Sequence, residues 1–131
     1  MADKLKPVVD HLTLRVADMD KSRAFYAAAL APLGFGIVAD YGEDAGIGFG
    51  PPGQDDFAIA PATEDKPVSG PIHLAFHAKD HAAVNDFHAF GLSAGGRDNG
   101  GPGKRPEYHG KYYAAYLIDP DGNNIEAVDH G

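Results

Sequence analysis

Two histidines occupy equal places in two similar stretches of this chain. His11 lies near the start of an alternating segment, and His73 lies 62 residues later in a second segment of the same kind. A glutamate, Glu126, follows in another alternating segment close to the end of the chain. Two imidazoles and one carboxylate hold a divalent metal ion while leaving coordination positions open for water or a substrate. We therefore predict a metal site formed by His11, His73 and Glu126. The alternative is that the histidines are surface or hydrogen-bonded residues and that the glutamate is solvated.

The equal placement of the histidines reflects an internal repeat. Residues His11–Leu30 align with His73–Leu92 without a gap, and six of the twenty pairs are identical. The identical pairs are His11/His73, Leu12/Leu74, Asp18/Asp80, Phe25/Phe87, Ala27/Ala89 and Leu30/Leu92. Because these pairs fall at matching points of one structural pattern, we interpret the chain as two copies of a single unit.

Each copy begins with a predicted strand. Apolar and polar residues alternate from Val9 to Val16, which is typical of a strand with one buried face. The apolar face carries Leu12, Leu14 and Val16, and the polar face carries His11, Thr13 and Arg15. In the second copy the polar face carries His73, Ala75 and His77.

A helix is predicted after each of these strands, near 19–31 and 80–90. Asp18 and Asp80 stand where an N-cap residue is needed, since an aspartate accepts hydrogen bonds from the first free amides of a helix. The first helix is predicted to end at Pro32 and Gly34, and the second at Gly91.

Three shorter strands are predicted after each helix. In the first copy they are 36–40, 46–50 and 56–60, and in the second 93–95, 112–118 and 124–128. The glycine-rich stretch 97–110 is predicted to be a mobile loop that covers the site. Each copy then has the order strand, helix, strand, strand, strand, in module one at about 8–62 and module two at about 71–129.

The predicted fold class is α+β, with a single domain over residues 1–131. Two βαβββ modules in a pseudo-twofold arrangement would curve their mixed sheets into a metal-binding cleft. That symmetry gives His11 and His73 equivalent places on the polar faces. Glu126 lies on the same side if its neighbours Ile125 and Ala127 face the helices.

Further polar side chains near this predicted cleft are candidates for chemistry. His77, His109 and Tyr116 are interpreted as acid/base or substrate-orienting groups, and Arg15 and Tyr112 as substrate contacts. Positions at the rim, or purely structural roles, are the alternative for each of them.

Composition limits the classes of partner. Acidic residues outnumber basic ones 19 to 11, for a formal net charge of −8, so a polyanion such as nucleic acid would be repelled. The chain has no cysteine, which excludes disulfides, thiolate metal sites and a thiol nucleophile. No stretch is predicted to span a membrane, and no signal peptide is visible, so a cytoplasmic location is expected.

The sequence resembles the vicinal oxygen chelate superfamily, which includes glyoxalases, bleomycin-resistance proteins and extradiol dioxygenases. The matching residues cover about 8–128. They are Val9-Asp10-His11-Leu12, Phe25-Tyr26, Leu33-Gly34-Phe35, Ile72-His73-Leu74-Ala75-Phe76 and the ending Tyr116-Leu117-Ile118-Asp119-Pro120-Asp121-Gly122-Asn123-Asn124-Ile125-Glu126.

This resemblance implies that His11, His73 and Glu126 are metal ligands. Glyoxalases add a glutamate from the last strand of the first module, but the matching position here is Ala58 or, one residue along, Ile59. Neither side chain binds a metal. This departure argues against glutathione-dependent glyoxalase activity and leaves a three-ligand pattern similar to that of the dioxygenases, which generally have longer chains.

Two functions are consistent with the sequence. The first is an enzyme that uses Fe, Mn, Ni or Zn to act on a small molecule bound through vicinal oxygens, by lyase, isomerase or dioxygenase chemistry. The alternative is a metal-free binding protein that sequesters a small cationic molecule, as bleomycin-resistance proteins do. The resemblance also implies a homodimer, with the modules pairing either within a chain or between subunits.

Overall fold

Two modules of equal topology make up the computed structural model, which describes residues 7–131. Module one contains β1 (Leu12–Val16), α1 (Met19–Leu30), a 3₁₀ turn (Ala31–Leu33), β2 (Gly36–Asp40), β3 (Ile47–Gly50) and β4 (Phe57–Pro61). Module two contains β5 (His73–His77), α2 (His81–Ser93), β6 (Arg97–Lys104), β7 (Tyr113–Ile118) and β8 (Asn124–Asp129). The prediction of two βαβββ units in an α+β fold is confirmed.

Each module forms one four-stranded mixed sheet. The strand orders are β1-β4-β3-β2 and β5-β8-β7-β6, so the last strand of each module lies beside the first. These two strands run parallel, and the other neighbours run antiparallel. The registers along β1-β4-β3 therefore match those along β5-β8-β7, whereas β6 and β7 are longer than β2 and β3.

The predicted helix caps are confirmed. The side chain of Asp18 accepts a hydrogen bond from the Lys21 amide at 3.1 Å, and that of Asp80 accepts one from the Ala83 amide at 2.8 Å. Each aspartate thereby satisfies an amide that has no partner within its own helix.

The predicted end of the second helix at Gly91 is wrong, because α2 continues to Ser93. A Cβ atom on Gly91 would lie 2.3 Å from Cδ1 of Leu117 and 3.3 Å from the Cβ of Ala29. Glycine at this point allows α2 to pack closely against β7 and α1. Gly91 therefore serves the packing of α2 against its neighbours and does not end the helix.

The glycine-rich stretch predicted as a loop forms, in large part, the strand β6, which pairs with β7. The register shifts between Asp98 and Gly100 and again between Gly100 and Gly103, so the glycines lie in irregular, bulged parts of the ladder. Backbone pairing with β7 outweighs the low strand propensity of glycine. The strand predicted at 93–95 is likewise wrong, since these residues end α2 and form the turn after it.

One apolar core joins the two modules. The Phe57 ring contacts Tyr26 within module one at a centroid distance of 4.9 Å and Phe76 of module two at 5.3 Å. On β1, Leu14 and Val16 are buried in this core, while Thr13 and Arg15 alternate with them on the outer face. The polar faces of the sheets therefore lie opposite the core. No helix within residues 7–131 has the length and apolar character needed to cross a membrane.

Candidate functional site

The outer face of the second sheet carries a buried carboxylate. We call it the module-two face, formed by His73, Tyr112, Tyr116 and Glu126. Strand register places Ala75 opposite Glu126 and Glu126 opposite Tyr116, so these side chains project from the same side of the sheet. The register therefore confirms the prediction that Glu126 lies on the same face as His73.

Glu126 is only 1% exposed, and its two oxygens have different partners. Nε2 of His73 lies 2.8 Å from Oε1, and the Tyr112 hydroxyl donates a hydrogen bond to Oε2. The His73 side chain is 54% exposed, so the pair is open to solvent from the histidine side. Among residues 7–131 no lysine or arginine forms an ion pair with this carboxylate. A buried carboxylate without a cationic partner is costly, and a metal ion at this position would compensate its charge.

The two tyrosines of this face remain protonated at neutral pH. Burial raises the pKa of Tyr112, and the hydrogen bond to Glu126 raises it further. Burial, followed by the Glu126 charge, raises the pKa of Tyr116 to about 12. Because both hydroxyls keep their protons, they act as hydrogen-bond donors. For Tyr116 this favours substrate orientation over base catalysis.

The turn between β7 and β8 fixes the position of the His73–Glu126 pair. Asp119 accepts hydrogen bonds from the backbone amides of Asp121 and Asn123, at 2.9 and 2.8 Å. The Asn123 side chain in turn accepts from the amide of Ile72, the residue before His73, at 2.9 Å. The Asp-Pro-Asp-Gly-Asn motif thus holds the start of β5 against the start of β8 and sets the register that brings His73 to Glu126.

Three histidines gather beside Tyr112, towards the other end of β5. Nε2 of His109 lies 2.9 Å from Nδ1 of His130, and the His130 ring lies 6.1 Å from His77 and 5.1 Å from Tyr112, measured between centroids. Nδ1 of His109 accepts a hydrogen bond from the Lys111 amide at 3.1 Å. In its neutral form His109 therefore carries its proton on Nε2 and donates a hydrogen bond to Nδ1 of His130.

The outer face of the first sheet surrounds a cavity of about 380 Å³. We call it the module-one face. It is lined by His11, Thr13, Arg15, Tyr41, Ala45, Asp55 and Ala58. Strand alternation predicts His11 and Arg15 at this face. Tyr41 and Asp55 have no such signal in the sequence, because both lie in loops, where the two-residue period of a strand does not apply.

His11 is exposed and has an acidic neighbour. Nδ1 of His11 lies 2.8 Å from Oδ1 of Asp10, and the His11 side chain is 67% exposed. The hydrogen bond to Asp10, and then the charge of Asp10, raises the pKa of His11, to which the charge of Asp55 also contributes. With Nδ1 occupied in this way, Nε2 remains available as a ligand.

Arg15 lies on the module-one face and is held there by hydrogen bonds of both its backbone and its side chain. Its amide donates to the Ser69 hydroxyl at 2.8 Å, and its guanidinium donates to the carbonyl of Pro61 at 3.3 Å. Arg15 and Tyr112, the two predicted substrate contacts, therefore belong to different faces. Their roles as substrate contacts remain predictions.

The predicted metal ligands form two partial sites in one chain. His73 and Glu126 are together, whereas within residues 7–131 no three histidine, aspartate or glutamate side chains converge to hold a metal ion. His11 thus stands on the module-one face, apart from the other two ligands. The three-ligand assignment stays a prediction, and within the described part of the chain one copy does not complete it.

Comparison with known proteins agrees with this architecture. The sequence profile of the Glyoxalase/Bleomycin resistance protein/Dioxygenase superfamily matches residues 8–127. None of the proteins with a curated description matches significantly. A glyoxalase/bleomycin resistance protein from Albidiferax ferrireducens is 32% identical, with a TM-score of 0.75 over 91% of this chain and 95% of that one.

Two more distant structures share the fold. A glyoxalase-related enzyme from Fulvimarina pelagi is 24% identical, with a TM-score of 0.69 over 95% of this chain and 88% of that one. TnmS3, an antibiotic binding protein from Streptomyces, is 23% identical, with a TM-score of 0.62 over 95% and 97%. By its profile match and its 32% identity to a solved member, this chain belongs to the Glyoxalase/Bleomycin resistance protein/Dioxygenase superfamily.

Proposed function

We propose that this protein is a divalent-metal-dependent enzyme that acts on a small molecule bound through two neighbouring oxygen atoms. The reaction would belong to the lyase, isomerase or dioxygenase chemistry of the superfamily. The observation that carries the proposal is the pairing of His73 with the 1% exposed carboxylate of Glu126, 2.8 Å apart. An imidazole and a buried carboxylate on the outer face of one sheet supply two of the three donors that the proposed metal site needs.

The available donors suit the metals Fe, Mn, Ni and Zn. His73 and Glu126 of module two and His11 of module one would hold the ion, since imidazole and carboxylate are donors these metals accept. When bound, the metal would act as a Lewis acid that polarises the coordinated oxygens of the substrate. The Tyr112 hydroxyl, which donates to Oε2 of Glu126, would fix the orientation of this carboxylate.

A complete site would be shared between two copies of the chain. Within one copy, α1 and α2 pack together in the common core, and the two polar faces lie outside it. In a symmetric homodimer the module-one face of each subunit would meet the module-two face of its partner, giving two equal sites. This arrangement joins His11 of one subunit to His73 and Glu126 of the other.

The remaining polar residues would bind the substrate and move protons. Tyr116 keeps its proton, with a pKa of about 12, so it would donate a hydrogen bond to a substrate oxygen. His109 donates towards His130, which lies near both Tyr112 and His77, so these histidines would form a proton relay at the edge of the site. Arg15, which lies on the module-one face of the subunit that supplies His11, would attract an anionic group of the substrate.

Mixing two inactive variants tests the shared site. His11→Ala and His73→Ala are each expected to bind metal weakly as homodimers. Co-expression in equal amounts gives heterodimers in which one site lacks both histidines and the other has all its ligands. Binding measured by calorimetry should therefore recover to about a quarter of the wild-type capacity. No recovery would contradict a site between subunits, and wild-type protein without affinity for any of the four metals would contradict the enzyme proposal.

A metal-free binding protein is the second candidate. Its support is the formal net charge of −8, which suits a cationic ligand, and the similar fold of TnmS3, described as an antibiotic binding protein. In that case a cationic aromatic drug should bind the wild type and His11→Ala equally well, with chelator present. Calorimetric titration of both proteins distinguishes the two candidates.

A further inference from the structure

The equivalent registers of the two sheets show where module one lacks a carboxylate. In module two, Glu126 lies between Ala75 on one neighbouring strand and Tyr116 on the other. In module one, Ala58 holds the same place, between Thr13 and Gly48. The counterpart of Glu126 is thus an alanine, and the counterpart of the large Tyr116 is a glycine. These two small residues leave room on the outer face of the first sheet.

The carboxylate of Asp55 occupies that room. Asp55 lies in the loop between β3 and β4, and a Cβ atom added to Gly48 would fall 2.3 Å from Oδ1 of Asp55 and 2.4 Å from Oδ2. Only a residue without a side chain at position 48 lets the carboxylate lie flat against β3. The loop therefore brings a negative charge to the face beside Ala58.

One oxygen of this carboxylate has a partner and the other has none. Oδ2 accepts a hydrogen bond from the Tyr41 hydroxyl at 2.5 Å. Oδ1 is buried and, considering every residue from 7 to 131, finds no hydrogen-bond donor. A buried acceptor without a partner is unfavourable by itself, and a cation would satisfy it.

Asp55 also acts on His11. Both residues line the same cavity, and the charge of Asp55 contributes to the raised pKa of His11. An imidazole and a carboxylate on one face match the His73–Glu126 pair of module two in donor types. The Tyr41 hydroxyl on Asp55 corresponds in the same way to the Tyr112 hydroxyl on Glu126.

We propose that Asp55 is the carboxylate that module one supplies to the metal, from a loop rather than from a strand. The inference rests on the proposed metal site and adds a fourth protein ligand to it. Within module one, Gly48 provides the space, Tyr41 orients the carboxylate, and His11 is its fellow ligand. Asp55 thereby takes the part that a carboxylate at the strand position of Ala58 would have played.

The test compares metal affinities of the wild type, Asp55→Asn and Asp56→Asn. Asp56 is the neighbouring aspartate, whose side chain accepts hydrogen bonds from Gln54, so it is the matched control. Titrations by calorimetry use Mn²⁺, which favours carboxylate oxygens, and Zn²⁺, which favours imidazole. Asp55→Asn should weaken Mn²⁺ binding by about 10- to 100-fold and Zn²⁺ binding by less, and Asp56→Asn should match the wild type.

A rescue variant separates a ligand from a structural role. In Asp55→Asn combined with Ala58→Glu, a strand carboxylate stands at the counterpart of Glu126, and Mn²⁺ affinity should return. If Asp55→Asn does not fold, Gly48→Ala takes its place, since its added Cβ displaces the carboxylate and should lower Mn²⁺ affinity in the same selective way.

Each outcome has a distinct meaning. If the wild type binds neither ion, the proposed metal site is wrong and this inference falls with it. If the wild type binds metal and Asp55→Asn binds both ions equally well, the proposed site stands and Asp55 is not a ligand. Equal loss of both ions without rescue by Ala58→Glu also overturns the inference, because that is the result of a loop that has lost its structure.

Discussion

The two outer sheet faces share one topology but hold their carboxylates differently. In module two, Glu126 projects from a central strand, is 1% exposed, and lies against His73 and Tyr112. In module one, Asp55 reaches its sheet from a loop and rests on Gly48, while the neighbouring His11 is 67% exposed. The module-two carboxylate is fixed by strand register, and the module-one carboxylate by a loop conformation.

This difference indicates how the two faces would share a task. A carboxylate held by a strand and by two hydrogen-bonding neighbours is preorganised for binding. A carboxylate on a loop adjusts its position at low cost, because a loop has fewer packed contacts to disturb. We therefore expect changes on the module-two face to affect both binding and stability, and changes on the module-one face to affect binding more than stability.

The largest effect is expected from Glu126→Gln. The amide preserves the size of the side chain and can still accept from Tyr112, but it removes the charge that a metal needs. Affinity for Mn²⁺ should fall by about 100-fold or more. Glu107→Gln, at an exposed loop position, is the control and should leave affinity unchanged. Equal affinities of Glu126→Gln and wild type would show that module two does not bind the metal.

A smaller effect is expected from Tyr112→Phe, which removes a hydrogen-bond donor from the buried Glu126. The free energy of unfolding should fall by about 1–3 kcal/mol, because an oxygen of a buried carboxylate loses its partner. Tyr41→Phe makes the same change on the module-one face, where the Tyr41 side chain is exposed, and it should cost less. Denaturant unfolding measures both. A larger loss for Tyr41→Phe would reverse the comparison.

Replacing His73 or His11 by alanine should change the stability of the protein to different extents. His73→Ala takes a partner from Glu126 and should lower the free energy of unfolding by about 1 kcal/mol. His11→Ala removes an exposed side chain and should leave thermal unfolding as in the wild type. If His11→Ala destabilises the metal-free protein as much as His73→Ala does, the two faces are equally preorganised.

The smallest effect concerns the titration of His11. Asp10 raises its pKa above the ordinary value of 6.5, so the folded chain binds this proton more tightly than the unfolded chain. The resulting stabilisation is present below pH 6.5 and is lost as the pH rises through the raised pKa. An NMR titration of metal-free protein should give His11 a pKa above 6.5, and Asp10→Asn should bring this pKa back towards 6.5. An unchanged titration in Asp10→Asn would exclude Asp10 as the main cause.

Much of the fold was predictable from local patterns. The repeat around His11 and His73 predicted two modules of equal topology, Asp18 and Asp80 predicted the helix starts, and alternation along β1 predicted its polar face. Such features depend on the side-chain periods of strands and helices and on capping, which neighbouring residues determine. Alternation also predicted that Glu126 lies on the same face as His73, because its apolar neighbours Ile125 and Ala127 face the core.

Other features depended on contacts between distant segments. Gly91 lies inside α2 because Leu117 and Ala29 pack against it, and β6 is a strand because β7 offers a backbone to pair with. Asp55 reaches the module-one face only because Gly48, on another strand, leaves space for it.

The sequence by itself determined which residues share a face within each sheet, since that follows from a period of two residues along the strand. Only the tertiary structure decided which faces lie near one another. The apolar sides of both sheets and both helices pack into one core, and this packing leaves the polar faces of His11 and His73 outside it. The physical reason is that burial of apolar surface, the main driving force of folding, acts between elements far apart in the chain and has no signature in local spacing.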